Sequence, residues 1–189
     1  MAKPAKRPAT YEDLLQVPEN LVAELVDGEL YTSPRPASPH GRAASILGGR
    51  LIASFDDGGS GGPGGWWILD EPELHFGDDV LVPDIAGWRR ERMPVLPNTP
   101  AFELPPDWVC EVISPSSRAH DRIRKMPVYA RNEVAYAWLI DPLDQTLEVF
   151  RLDRGVWGAI ASHQGEDTVR AEPFAEIEIP LSSLWLPTT

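Results

Sequence analysis

The chain has one cysteine, Cys110, in 189 residues. No internal disulfide framework is therefore available, and a reducing, cytoplasmic setting fits. No apolar run approaches the roughly 18 residues that a bilayer-spanning helix needs. The basic opening MAKPAKRPAT is not followed by the apolar stretch of a secretory signal, so no membrane partner is expected. Positive charge is also scarce: 17 Lys and Arg stand against 29 Asp and Glu, a net charge of −12. That balance argues against general nucleic-acid binding, because phosphate contacts need clustered Lys and Arg. Several catalytic signatures are missing as well. His40, His75, His120 and His163 lack the HExxH spacing, and a lone cysteine cannot build a zinc knuckle. The glycine-rich stretch 57–65 lacks the Gly-Lys-Ser/Thr ending of a phosphate loop and reads as a mobile connection. Ser114, Ser116 and Ser117 have no nucleophile-elbow glycines and read as a loop and helix cap.

What remains is an ordinary globular composition, 42% hydrophobic and 24% charged, with 20 prolines and 15 glycines that predict short elements and many turns. The length suits one domain, read here as residues 10–189 after a loose tail of residues 1–9. Thr10 with Asp13 resembles a capping box at the start of a helix from Thr10 to Val17, ended by Pro18. LVAELV, Asp27-Gly28 and ELYTS predict a β-hairpin with a type I′ turn. The apolar spacing of Ala43, Ile46, Leu47, Leu51, Ile52 and Phe55 predicts a helix over 40–55. Gly48 and Gly49 weaken it, which suggests close packing there. Strands are expected over Trp66–Leu69, Val80–Trp88, Trp108–Ile113 and Ala137–Ile140, with a helix over Arg118–Arg131. The runs TLEVFRL, VWGAIAS and AEIEIPLSSLWL predict antiparallel strands. The order implies an α/β fold, a mixed sheet with helices packed on it and additional antiparallel strands at the C-terminal end.

Two carboxylates stand out. Glu111 lies inside WVCEVI, a run apolar at both parities and so expected to be buried on both faces. An unpaired carboxylate there costs several kcal/mol unless a cation or strong hydrogen bonds compensate. Asp84, in VLVPDIA, poses the same question. Taken singly, Pro83-Asp84 can mark a turn, and Glu111 can be a strand carboxylate paired with an arginine. Together, at the ends of neighbouring strands, they can hold one hard cation such as Mg²⁺. Cys110 is expected to pack in the core. Tryptophans are read first as core or interface residues, with Trp88 and Trp108 also considered for base stacking. Within 118–131, Arg118, Arg122, Arg124, Lys125 and Arg131 face a single acid, Asp121, so a local basic face on an acidic body is expected.

The segment EVISPSSRAHDRIRKMPVYARNEVAYAWLIDP, together with AELVDGELYTSPRPASPHGRAASIL and VLVPDIAGWRRE in the same order, resembles the Uma-two family of restriction-endonuclease-like proteins in the PD-(D/E)XK nuclease superfamily. The resemblance implies a restriction-endonuclease-like fold and assigns Asp84 and Glu111 as metal ligands. The superfamily's Glu-x-Lys pattern would place lysine at position 113, which is Ile113 here. In Uma-two-like sequences the lysine stands on the following helix, where Lys125 fills that place. Glu24 matches an early acidic position that completes the metal shell or orients water, and His40 matches a histidine opening the second helix. Pro127, two residues after Lys125, predicts a kink or a new helix start that would displace the lysine.

These residues imply a Mg²⁺-dependent endonuclease (Mn²⁺ as a substitute) acting on DNA. In this expectation the metal polarises the phosphate, Lys125 serves as a point charge, and His40, Arg118, Arg122 and Arg124 are candidate substrate contacts. A homodimer through the tryptophan-rich late strands is a further expectation. The alternatives are a non-catalytic interaction protein that keeps the scaffold, suggested by the charge of −12 and Pro127, and a hydrolase of a small phosphodiester.

Overall fold

The computed structural model describes residues 7–56 and 62–187; most of the glycine-rich connection, 57–61, and residues 1–6 of the tail lie outside the described residues. Helix α1 is short, Tyr11–Leu14, because Pro18 leaves little room beyond it. The Thr10 N–H donates to the Asp13 carboxylate at 2.9 Å, as the capping-box reading expects. Strands β1 (Leu21–Val26) and β2 (Glu29–Pro34) form the hairpin. Its turn places Asp27 and Gly28 at φ of 52° and 75°, the left-handed pair that a type I′ turn requires. Helix α2 runs Ser38–Leu51 and widens into a π-helical turn, Ile52–Asp56.

Strands β3 (Trp66–Asp70), β4 (Glu73–Phe76), β5 (Asp79–Leu81), β6 (Ile85–Arg89), β7 (Ala101–Phe102) and β8 (Trp108–Val112) follow. The continuous strand expected over Val80–Trp88 is in fact two. Pro83 has no N–H to give a ladder, and at Val82-Pro83-Asp84 the chain leaves one sheet and enters another. The helical segment after β8 comprises α3 (Arg118–His120), a π-helical turn (Asp121–Lys125) and α4 (Met126–Arg131). Strands β9 (Tyr136–Asp141), β10 (Thr146–Asp153) and β11 (Val156–Gln164) form a meander. Of AEIEIPLSSLWL, only Ile179–Pro180 (β13) is strand, pairing with β12 (Thr168–Val169) before a 3₁₀ turn at Leu181–Ser183. Pro180 interrupts the alternation that predicted a longer strand.

The strands make two large sheets and one small antiparallel pair. One sheet has the order β2-β1-β5-β4-β7 and the other β11-β10-β9-β8-β6-β3. The second is antiparallel except for the parallel pair β8–β9. Helices cover both its faces, which explains why all of WVCEV is buried. On one face Trp108, Cys110 and Val112 join Ala43, Leu47 and Leu51 of α2 in one core. Phe174 completes it, against the rings of Trp66, Trp108 and Trp138. On the other face Val109 and Ile113 pack with Val128 and Tyr129 of α4 and with Leu74 and Leu81 of the five-stranded sheet. Glu111 shares the parity of Val109 and Ile113 and therefore points at α4.

Trp88 and Trp108 are fully buried, so they belong to the core and not to a base-stacking surface. The late tryptophans are also engaged within the chain. Trp138 is buried, Trp157 Nε1 donates to Met126 O at 2.8 Å and Trp185 Nε1 to Gly165 O at 2.7 Å. Trp157 stays half-buried on β11, where Val156 and Ile160 are exposed. Among the described residues no helix is long and apolar enough to cross a membrane.

Glycine substitutions distinguish tight from open positions. A Cβ on Gly87 would lie 3.1 Å from Ile68 and 3.2–3.3 Å from the rings of Trp66 and Trp108. Gly48 faces Asp70, whereas Gly49 is exposed and a Cβ there would meet nothing within 4 Å. Gly49→Ala should stabilise the protein by about 1 kcal/mol, whereas Gly87→Ala should destabilise it by about 1–3 kcal/mol through overpacking. Urea denaturation of the two variants checks both signs.

Candidate active site

The break between β5 and β6, the end of β8, the first turn of α2, the middle of β1 and the helical segment after β8 meet around one cleft of about 490 Å³. Glu24, Asp84, Glu111, His40 and Lys125 all line it. Each arrives for a local reason. Glu24 is on β1, the strand that pairs with β5. Asp84 occupies the break that Pro83 imposes, where its Oδ2 accepts the Val112 N–H at 2.7 Å and joins the break to β8. His40, near the start of α2, places Nε2 3.1 Å from Asp84 Oδ1.

Lys125 is buried, with Nζ 2.8 Å from Glu24 Oε1, 2.8 Å from Glu111 Oε1 and 3.0 Å from the carbonyl oxygen of Val82. Those three oxygens match the three protons of an ammonium. The displacement that Pro127 led us to expect does not occur. Pro127 stands inside an unbroken helical run, just after a wide turn in which the Met126 N–H reaches back to Asp121 O. The wide turn Asp121–Lys125 absorbs the irregularity upstream. Asp121, Lys125 and Tyr129, four residues apart in turn, are all buried. The Tyr129 hydroxyl donates to Glu111 Oε1 at 2.5 Å. Glu24 also accepts the Val82 N–H at 2.8 Å and lies 2.9 Å from His120 Nε2.

The electrostatics are those of too many acids around one ammonium. Burial pushes Glu111 well above the usual carboxylate range. The charges of Asp121, Asp84 and Glu24 push the same way, and Lys125 opposes them. Asp121 is raised for the same first cause. Burial also acts against charged Glu24, but Lys125, His120 and the Val82 N–H outweigh it and hold that carboxyl down to about 2. Lys125 is disfavoured as a cation by burial, yet Glu111 and Glu24 raise it well above its ordinary value. His40 likewise rises despite burial, through the Asp84 hydrogen bond and charge.

The donors suit a hard divalent cation. Asp84 and Glu111 offer carboxylate oxygens, and the cleft carries an excess of negative charge that such an ion would neutralise. Among the described residues no group of three His, Cys, Asp or Glu side chains is arranged to hold a metal by itself.

Arg118, Arg122 and Arg124 do not line the cleft. Arg118 is held by Asp141 and Asp144, and Arg122 by Glu148. Arg124 is exposed and makes no ion pair among the described residues.

A family model described as "Putative restriction endonuclease", Uma2, matches residues 8–182. The chain belongs to the Uma2 family. A crystal structure from Anabaena variabilis, described as a "putative nuclease belonging to DUF820", is similar at a TM-score of 0.72 and 24% identity, covering 94% of this chain and 97% of that one. It shows that this Uma2 chain shares its mixed α/β fold. No curated protein matches.

His120 and Asp121 line this Uma2 cleft and Tyr129 lies against Glu111, and none of the three was singled out from the sequence. Asp121 and Tyr129 carried a signal, being one helical turn to either side of Lys125. His120 carried none, because its contact with Glu24 spans 96 residues of sequence.

The depressed Glu24 fixes a pH dependence. A carboxyl at about 2 when folded and near 4.5 when unfolded contributes stability above pH 4.5, and that stability is lost as pH falls to about 2. In wild type this should amount to about 3 kcal/mol, missing from Glu24→Gln. Denaturant titrations from pH 6 to pH 2 should show the two proteins converging in acid; a constant gap would contradict the assignment.

Proposed function

We propose that this chain is a divalent-cation-dependent endonuclease that hydrolyses phosphodiester bonds in DNA. The observation that carries the reading is the convergence of Asp84, Glu111 and Lys125, from three separate segments, on one acid-rich cleft. The description of the Uma2 family and that of the Anabaena protein support the same reaction class.

Asp84 and Glu111 would hold Mg²⁺, with Mn²⁺ as a substitute. The ion would supply Lewis acidity, neutralising charge on the scissile phosphate and making water easier to deprotonate. The protein's own residues do the rest. Val112 and His40 fix the two oxygens of Asp84, and Tyr129 orients Glu111. Lys125, kept protonated by Glu111 and Glu24, is a fixed positive charge at the cleft wall that can receive the charge developing on a phosphate. Glu24 and the Val82 carbonyl hold that ammonium in place.

A second reading, a non-catalytic interaction protein on the same scaffold, is favoured by one feature. All three Lys125 donors already have oxygens within 3.0 Å, and Arg118 and Arg122 are held by acids.

Incubation of the purified protein with plasmid DNA separates the readings. Mg²⁺-dependent cleavage should appear, and Asp84→Asn, Glu111→Gln or Lys125→Ala should each lower it by about 10²–10³-fold or more. Calorimetric titration with Mn²⁺ should give a binding heat that Asp84→Asn removes. Protein that neither cuts any nucleic acid nor binds Mn²⁺ supports the second reading.

A further inference from the structure

The cleft is poorly suited to a continuous duplex. Its lining contains two cations, Arg35 and Lys125, against the acids Glu24, Glu71, Asp84, Glu111 and Asp121. Both cations are already paired, Arg35 with Glu71 at 3.1 Å and Lys125 with Glu24 and Glu111. Duplex DNA presents a negative charge about every 1.7 Å along its axis and is gripped by rows of Lys and Arg. Here the nearby Arg118 and Arg122 are turned to Asp141, Asp144 and Glu148. A volume of about 490 Å³ is on the scale of a single small ligand, not of a helix.

Beside Glu24 the cleft is aromatic: Tyr31 is its cross-strand neighbour and His120 its hydrogen-bond partner. Tyr31, half-buried on β2, has its ring centroid 4.4 Å from that of His120, with the planes at 43°. Both side chains line the cleft. The Tyr31 hydroxyl donates to Glu29 Oε2 at 2.5 Å and His120 Nε2 lies 2.9 Å from Glu24 Oε2. Arg124 follows His120 by one helical turn and stands exposed without an ion pair among the described residues. Aromatic side chains are how proteins hold unpaired bases, since stacking tolerates any base.

Resting on the nuclease reading above, we propose that the cleft takes an unpaired nucleotide of single-stranded DNA, its base against Tyr31 and His120, in preference to duplex. Tyr31 then acts in substrate choice and His120 supports its ring.

The test is fluorescence anisotropy of a labelled oligodeoxythymidylate, and of a duplex of equal length, with the full-length protein in Ca²⁺ buffer. The single strand should bind at least about tenfold more tightly. Tyr31→Leu should weaken single-strand binding about tenfold, whereas Tyr31→Trp, which keeps an aromatic face, should not. Circular dichroism melts of both variants confirm that they are folded. The plot of log affinity against log salt for the single strand should have a shallow slope, about −1 to −2, as two or three phosphate contacts give. Duplex bound as tightly as single strand, or Tyr31→Leu weakening neither, overturns the inference, and so does no binding at all. Parallel cleavage assays in Mg²⁺ keep the two readings apart. Single-strand preference in binding without cleavage of any DNA overturns the nuclease reading alone. Equal cleavage of both substrates overturns the single-strand inference alone.

Discussion

The Lys125 ammonium lies within 3.0 Å of oxygens from β1, from the β5–β6 break and from β8, and the geometry around it explains most of what is irregular in this fold. Removing a lysine and two carboxylates from water costs several kcal/mol per ion, and their attraction repays this only with near-ideal geometry. The arrangement is therefore weak evidence for stability and better evidence for a site. Two carboxylates pair with the buried ammonium and a third, Asp121, lies within reach of its charge, while burial raises Glu111 and Asp121 as acids. A well-packed apolar cluster would fit the core with less strain, and an acid excess of this kind is typical of positions where function sets the residue.

The surrounding backbone is bent to serve that ammonium. The chain leaves one sheet at Leu81 and joins the other at Ile85, which frees the Val82 carbonyl for Lys125 and its N–H for Glu24. The same break places Asp84 where Val112 and His40 fix its two oxygens. In the helical segment, the π-helical turn ends on Lys125 itself. One extra residue per turn re-aims a side chain without ending the helix, and such turns recur at functional sites. Pro127 follows that turn within the same helical run, which continues to Arg131.

Much of this was legible in the sequence. The Asp27-Gly28 hairpin, the α2 periodicity and the wholly buried β8 follow from local chemistry that tertiary packing does not override. Glu111 announced itself because a carboxylate in WVCEVI breaks the pattern around it. Asp84 was ambiguous: a Pro-Asp pair reads as a turn or a site, and it is a chain break lining the cleft. The split of Val80–Trp88 and the loss of the strand after Ala175 were missed, since both depend on which sheet a proline lets the chain enter. Lys125 came from family resemblance, because its partners lie 101 positions away at Glu24 and 14 at Glu111. His120 and Tyr31 were invisible as a pair, since only the folded hairpin brings their rings together.

We propose that the acid excess at this cleft is a cation site formed by Asp84 and Glu111 beside Lys125. A crystal structure of the protein soaked with Mn²⁺, with anomalous scattering to locate the ion, tests it most directly. One manganese peak is expected in contact with carboxylate oxygens of both Asp84 and Glu111, with the Lys125 ammonium still lining the same cleft. An empty cleft at saturating Mn²⁺, or an ion bound elsewhere while Lys125 remains paired with Glu111, would contradict it.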